Sequence, residues 1–175
     1  MSNTLSPKPF VDQSVSEVQG FDCGSAEWAT PISDWIKGKE ALSRVRKGTT
    51  KIWLYYNEAN DLVGYGSVGI TKWPIFAEEP RKPVLILPSL GVQEKHQSKG
   101  YGKLICNHLI SEAQKLYSEA RSKGKTLLPL LCLLVHPLNN EAKRLYAAVG
   151  FSTYEYYYEE AGTRYLGMAR LLNYT

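Results

Sequence analysis

The segment from Val84 to Leu109 constrains the fold more than any other. An apolar run, Val84–Val92, leads into Gln97-Ser98-Lys99-Gly100-Tyr101-Gly102-Lys103. After it, Leu104, Ile105, His108, Leu109, Ala113, Leu116 and Tyr117 recur every three or four residues. The first run reads as a buried strand and the second as the apolar face of a helix. Between them, two glycines one residue apart make a turn that can close on an anion. The first N–H groups of a helix lack internal partners, and the macrodipole adds partial positive charge there. Gly100 and Gly102 remove the side chains that would hold a pyrophosphate away, and Lys99 and Lys103 add charge at the rim. A purely structural glycine turn is the alternative at this point. A P-loop is excluded, because Gln97 stands where its first glycine belongs and Leu104 replaces its Ser/Thr. The dinucleotide fingerprint fails too, with Ile105 three residues after Gly102.

Around this segment the chain reads as helices, three strands, helix, strand, helix and two strands, a mixed α/β pattern in one domain over residues 1–175. Residues 1–20 read as loosely structured, with Pro7 and Pro9 ahead of a short strand. Ser25–Gly48 reads as two helices broken near Gly38, and Lys51–Asn57 and Leu62–Trp73 as a hairpin turned by Glu58–Asp61. Later elements are a strand at Leu127–Val135, a helix at Asn139–Val149 stopped by Gly150, and strands at Phe151–Tyr158 and Arg164–Leu172. The polar first twenty residues hold no secretory h-region. The longest apolar run, interrupted by Pro129, is too short to cross a bilayer. Cys23, Cys106 and Cys132 are scattered and odd in number, as in a reduced, cytoplasmic protein, and His96 and His108 lack metal-ligand spacing. No metal is expected.

Two motifs together carry a resemblance. Leu90–Leu109, "LGVQEKHQSKGYGKLICNHL", resembles the acyl-CoA signature of the GNAT acetyltransferases, strand then Q/R-x-x-G-x-G/A then helix. Val135–Phe151, "VHPLNNEAKRLYAAVGF", is similar to the second motif of that family, V-x-x-x-N-x-x-A-x-x-L-Y-x-x-x-G-F. The resemblance implies the GNAT fold, a mixed central sheet of six to seven strands with flanking helices. It implies acetyl-CoA as cosubstrate and a primary amine as acceptor. Gln97, Ser98, Lys99, Gly100, Tyr101, Gly102 and Lys103 would hold the pyrophosphate, mostly through main-chain N–H groups. Leu90, Gly91 and Val92 would pair with the pantetheine arm and aim an N–H at the thioester carbonyl. Tyr146, at the tyrosine of the second motif, would protonate the departing thiolate; a phenol with pKa about 10 holds its proton at neutral pH. Asn139 would cap the short helix or touch the cofactor arm.

The general base is missing. Many family members place a glutamate on the strand before the loop, whereas "VLILPSLGV" has no acid. Ser89 and His136 are the candidates, a serine being a poor base without a partner and His136 reading better as a strand-end histidine. Cys132, four residues before His136, is not needed by a direct transfer. A lysine ε-amine with pKa about 10.4 requires a base, while an α-amine with pKa about 7.7–8.0 is already substantially neutral at pH 7.5. This points to α-amine acceptors. "VQGFDCGSAE" (Val18–Glu27) is similar to the opening of GNAT-fold toxins of bacterial toxin–antitoxin pairs, which acetylate the α-amine of aminoacyl-tRNA; an antitoxin partner would follow. The basic run Lys37, Lys39, Arg44, Arg46, Lys47 and Lys51 would then meet tRNA, or it is a solvated face. Pro137-Leu138-Asn139 instead resembles small-molecule enzymes, and Glu78-Glu79 would attract polyamines, so a small-molecule or peptide amine is the alternative acceptor. A non-catalytic acyl-CoA-binding module is the third reading. Thr153–Glu160 would line an acceptor pocket, form a homodimer contact or simply pack as a strand.

Overall fold

The computed structural model describes residues 4–73 and 82–173, with the backbone alone at 73 and 155–158. In chain order the elements are β1 (Ser6–Pro9), α1 (Ala29–Lys37), α2 (Lys39–Arg46), β2 (Thr50–Tyr56), β3 (Leu62–Trp73), β4 (Lys82–Ile86), β5 (Leu90–Val92), α3 (Tyr101–Ser122), β6 (Leu130–Val135), α4 (Asn140–Ala148), β7 (Ser152–Glu160) and β8 (Thr163–Leu171). They fall into two compact units, Met1–Ser67 with Ser89–Asn107 and Val68–Pro88 with His108–Thr175.

In the first unit the sheet runs β1-β2-β3, with β5 paired to the first half of β3. β1 lies on the prolines and not after them: Pro7 faces Tyr55 and Pro9 faces Trp53 in an antiparallel pair. Phe10 N–H reaches Ile52 O at 2.9 Å, so by alternation the even residues turn their N–H groups inward. The prolines therefore sit where no ladder donor is needed. Gly38 breaks α1 from α2 as the sequence indicates, with φ −80° and ψ 159° between two helical segments. The core beneath them gathers Phe10, Val18, Phe21, Ile36, Ala41, Ile52, Leu54, Tyr56 and Tyr65.

In the second unit the order is β3-β4-β6-β8-β7, with β4 parallel to β6 and the other described pairs antiparallel. The parallel ladder is short: Leu85 faces Leu131, Ile86 faces Cys132, and Leu87 N–H donates to Cys132 O at 2.9 Å. β6 continues through Val135 against β8. Gly124, φ +69°, ends α3 with the bonds Gly124 N–H to Arg121 O and Lys125 N–H to Ala120 O, a left-handed cap. Gln114 exchanges two hydrogen bonds with the main chain of Asn173.

The run Val84–Val92 is not one strand. It divides at Leu87-Pro88-Ser89 into β4 and β5, which pair with different halves of β3. Pro88 has no N–H to continue a ladder. At the break Ser67 takes over: its hydroxyl donates to Ser89 O at 2.8 Å and accepts from Ser89 N–H at 3.0 Å. With β1 added and this run divided, the described residues hold eight strands, against the six to seven expected.

Candidate functional site

In the first unit β5 ends in a short 3-10 turn, Glu94–His96, and the chain then passes through Gln97 to Lys103. Ser98 (φ +58°) and Gly100 (φ +82°) are both left-handed. Such alternation turns successive N–H groups toward one point and makes a concavity for an anion. The first helical donors to find a carbonyl are Lys103 and Leu104, both on Gly100 O at 3.2 and 3.4 Å. The donors ahead of them, on Gly100, Tyr101 and Gly102, are the ones an anion can take. A Cβ built on Gly100 would meet nothing within 4 Å, so its space is open to a ligand. Lys99 turns its ammonium back onto Lys95 O at 2.9 Å. His96 is buried, edge-on to Tyr101 at 6.2 Å, and its pKa is lowered, first by burial and then by Lys95 and Lys99.

The Gln97 side chain does not face this concavity with its amide nitrogen. Nε2 donates to Cys23 O at 2.8 Å and Val92 O at 3.0 Å, tying β5 to the segment Phe21–Gly24. Glu94 N–H adds a bond to Asp22 O at 2.9 Å, and Asp22 itself accepts from Gly24 N–H. The Cys23 thiol lies beside the Ser33 hydroxyl and the Val92 amide, and burial pushes its pKa up to about 11. "FDCG" thus packs on the strand that precedes the glycine turn, a role the sequence did not reveal.

β5 is also closely held. A Cβ on Gly91 would come within 2.8–2.9 Å of Ile32, Cys23 and Tyr65, and one on Gly64 within 2.5 Å of Gly91 O. Gln93 N–H reaches Val63 O at 2.8 Å, so Gly91 also faces β3 while the N–H groups of Leu90 and Val92 turn away from it. Tyr65, opposite Gly91, is fully buried between Phe21 (edge-on, 5.2 Å) and Trp35 (stacked, 5.9 Å). Its hydroxyl donates to Ile32 O at 2.7 Å and contacts Ser89 Oγ.

The second unit carries the remaining residues named from the sequence. Asn139 is the N-cap of α4, its Oδ1 accepting from Ala142 N–H at 3.0 Å. Tyr146, 8 % exposed, lies near the other end of α4 with its ring edge-on to Phe151 at 5.7 Å. His136 accepts from Leu138 N–H at 3.2 Å through Nδ1 and rests its ring on Tyr165, the arrangement of a turn-stabilising histidine. Cys132 is buried, and its thiol is pushed up to about 12 by desolvation, which removes it as a nucleophile. Among the described residues no three His, Cys, Asp or Glu side chains gather as metal ligands, and no helix is long and apolar enough to cross a membrane.

Half of the basic run is paired with acids: Lys37 with Asp34 (3.2 Å), Arg44 with Glu40 (2.7 Å) and Arg46 with Asp12 (2.9 Å). Lys39, Lys47 and Lys51 are exposed. The acidic Glu78-Glu79 lies outside the described residues, as do the side chains at 155–158 of the aromatic tail.

A mixed sheet with one parallel pair among the described strands, and a glycine turn at the head of the longest described helix, define a mixed α/β domain. The family model for the acetyltransferase (GNAT) domain matches residues 48–153, and the chain belongs to the GNAT acetyltransferase family. No curated protein matches it. Among solved structures it is similar to one described as a bacterial toxin (TM-score 0.70, 15 % identity, 98 % of this chain and 92 % of that one). It is also similar to AtaTR bound with AcCoA (0.64, 16 %, 93 % and 92 %). A third is spermidine/spermine N-acetyltransferase SpeG from Vibrio cholerae in complex with manganese ions (0.63, 14 %, 95 % and 92 %).

Proposed function

We propose that the chain is an acetyl-CoA-dependent N-acetyltransferase acting on an α-amine, a substantial fraction of which reaches the enzyme uncharged. The observation that carries this reading is the pairing of an open, left-handed glycine turn with a preceding strand that holds no carboxylate. Gln97–Lys103 would take the pyrophosphate on the N–H groups of Gly100, Tyr101 and Gly102. The Leu90 N–H, directed away from β3, is the donor for the oxyanion that develops on the thioester. The amine lone pair attacks the carbonyl carbon, the N–C bond forms and the C–S bond breaks. The thiolate takes the Tyr146 proton, and the proton surplus on nitrogen leaves to water. Such a transfer needs no strong base if the acceptor is an α-amine with pKa about 7.7–8.0.

The α-amine of aminoacyl-tRNA fits this chemistry, and exposed Lys39, Lys47 and Lys51 supply cations for its phosphates. The second reading, a small-molecule amine, draws on the three acids that neutralise Lys37, Arg44 and Arg46. An antitoxin partner belongs to the first reading alone. The test offers labelled acetyl-CoA to aminoacylated tRNA and to a pool of polyamines, amino acids and amino-sugars. Label on tRNA that vanishes when the tRNA is deacylated beforehand establishes the first reading. Label confined to the small molecules establishes the second. Label in neither pool, with CoA bound, refutes the tRNA and small-molecule acceptors and leaves a peptide or protein amine or a binding module.

A further inference from the structure

Ser89 stands at the break between β4 and β5, and its hydrogen bonds have a forced direction. Tyr65 Oη lies 2.7 Å from Ile32 O, and a carbonyl can only accept. The single phenolic proton is therefore committed to Ile32. The second contact of the phenol, with Ser89 Oγ, must then be completed by the hydrogen of Ser89. The main chain of Ser89 is fixed, its N–H and C=O both engaged by Ser67. The Tyr65 ring is locked between Phe21 and Trp35. Among the described residues nothing donates to Ser89 Oγ, and the residue is only half-buried. What this oxygen offers outward is lone pairs, with no proton to give.

The face it occupies is also defined. A Cβ on Gly64 would touch Ile105 of α3, whereas one on Gly91 would touch Ile32 of α1, Cys23 and Tyr65. Ser89 has the parity of Gly91, so it lies on the α1 face of the β3–β5 pair and the first turns of α3 lie on the other. A nucleophile must approach a thioester carbon from the side its cofactor leaves open. We infer that Ser89 Oγ is the contact for the acceptor amine: it accepts one N–H of a neutral primary amine and orients the lone pair, with Tyr65 as its positioning residue. Ser89 keeps its own proton throughout, and the surplus proton on nitrogen leaves to water. The site takes donors without charge compensation, so it fits an uncharged amine better than an ammonium.

This rests on the acetyltransferase reading, and the experiment separates the two. Thiol release from acetyl-CoA is followed with phenylalaninamide and glycinamide as α-amine probes and spermidine as a cationic one, alongside direct CoA binding. Ser89→Ala should raise KM for the amides about tenfold, the worth of one hydrogen bond, with CoA affinity unchanged. Ser89→Thr should restore it to within about threefold. Tyr65→Phe should raise the same KM, and the double variant should be no worse than Ser89→Ala alone, as coupled residues require. An amide KM unmoved by Ser89→Ala, or multiplicative effects in the double variant, overturns the inference and leaves the transfer chemistry standing. Absence of thiol release from these probes and from aminoacylated tRNA alike, with CoA bound, refutes the transfer reading and this inference with it.

Discussion

Gly100, Gly124 and Gly162 are near-equivalent in backbone terms, and this makes a controlled experiment on the glycine turn. Their φ values are +82°, +69° and +79°, and a Cβ at any of them would meet nothing within 4 Å. Alanine should therefore cost each about the same, roughly 1–2 kcal/mol of left-handed strain, partly offset by about 0.4–1 kcal/mol from a stiffer unfolded chain. A net loss near 1 kcal/mol lowers Tm by about 2–4 °C at this chain length. Only at Gly100 does the new methyl stand in the space assigned to the pyrophosphate. Displacing the anion there removes one charge-assisted hydrogen bond, about 1.5–3 kcal/mol, or about ten- to a hundredfold in Kd. Calorimetric titration with CoA measures it, and thermal melts with and without CoA check it, since ligand raises stability by RT ln(1 + [L]/Kd). All three variants should melt alike without CoA, and Gly100→Ala alone should show a reduced CoA-induced shift. Equal CoA affinity in Gly100→Ala and Gly162→Ala refutes the placement of the pyrophosphate.

Further outcomes can be checked with the same protein. Tyr146→Phe should lower kcat by about a hundredfold, the scale of a lost general acid, and leave the Kd for CoA within about twofold; a matching loss of affinity makes Tyr146 structural. The pKa values of buried His96 and half-buried His108 are both lowered, chiefly by burial. Below about pH 6.5 the unfolded chain takes up protons that the folded protein refuses, so Tm should fall between pH 7.5 and 5.5, and less steeply in His96→Leu. A Tm that rises on acidification contradicts this. Cys23, with its thiol at about 11 against an ordinary 9.0, should react with iodoacetamide about a hundredfold more slowly than a free thiol at pH 8. Rapid labelling at that pH would mean that the burial of the Cys23 thiol does not hold in solution.

The parts of this molecule that were legible in its sequence are those decided locally. The glycine turn, the α3 face and the Gly38 break each follow from residues within a few positions of one another. Asn139 as a cap is equally local, resolved by its bond to Ala142. What escaped depends on distant partners. Nothing inside Val84–Val92 says that Pro88 will end one ladder, because the repair comes from Ser67, on another strand. Prolines argue against a strand at Ser6–Pro9 until the register with β2 turns them outward. Gln97 belongs to the cofactor motif by resemblance, yet its amide nitrogen is engaged by a carbonyl 74 residues away. The Tyr65–Ser89 contact, 24 residues apart, has no signature at all.

The two prolines of β1 have a consequence for assembly. An edge strand recruits another chain by offering alternating donors and acceptors to a new neighbour. On the outer side of β1, Pro7 and Pro9 supply carbonyls and a ring where N–H groups would stand, so an incoming strand would find acceptors and no donors. That margin of the first unit is closed to β-augmentation, in self-association and in aggregation alike, and a partner that binds this protein by adding a strand must add it elsewhere.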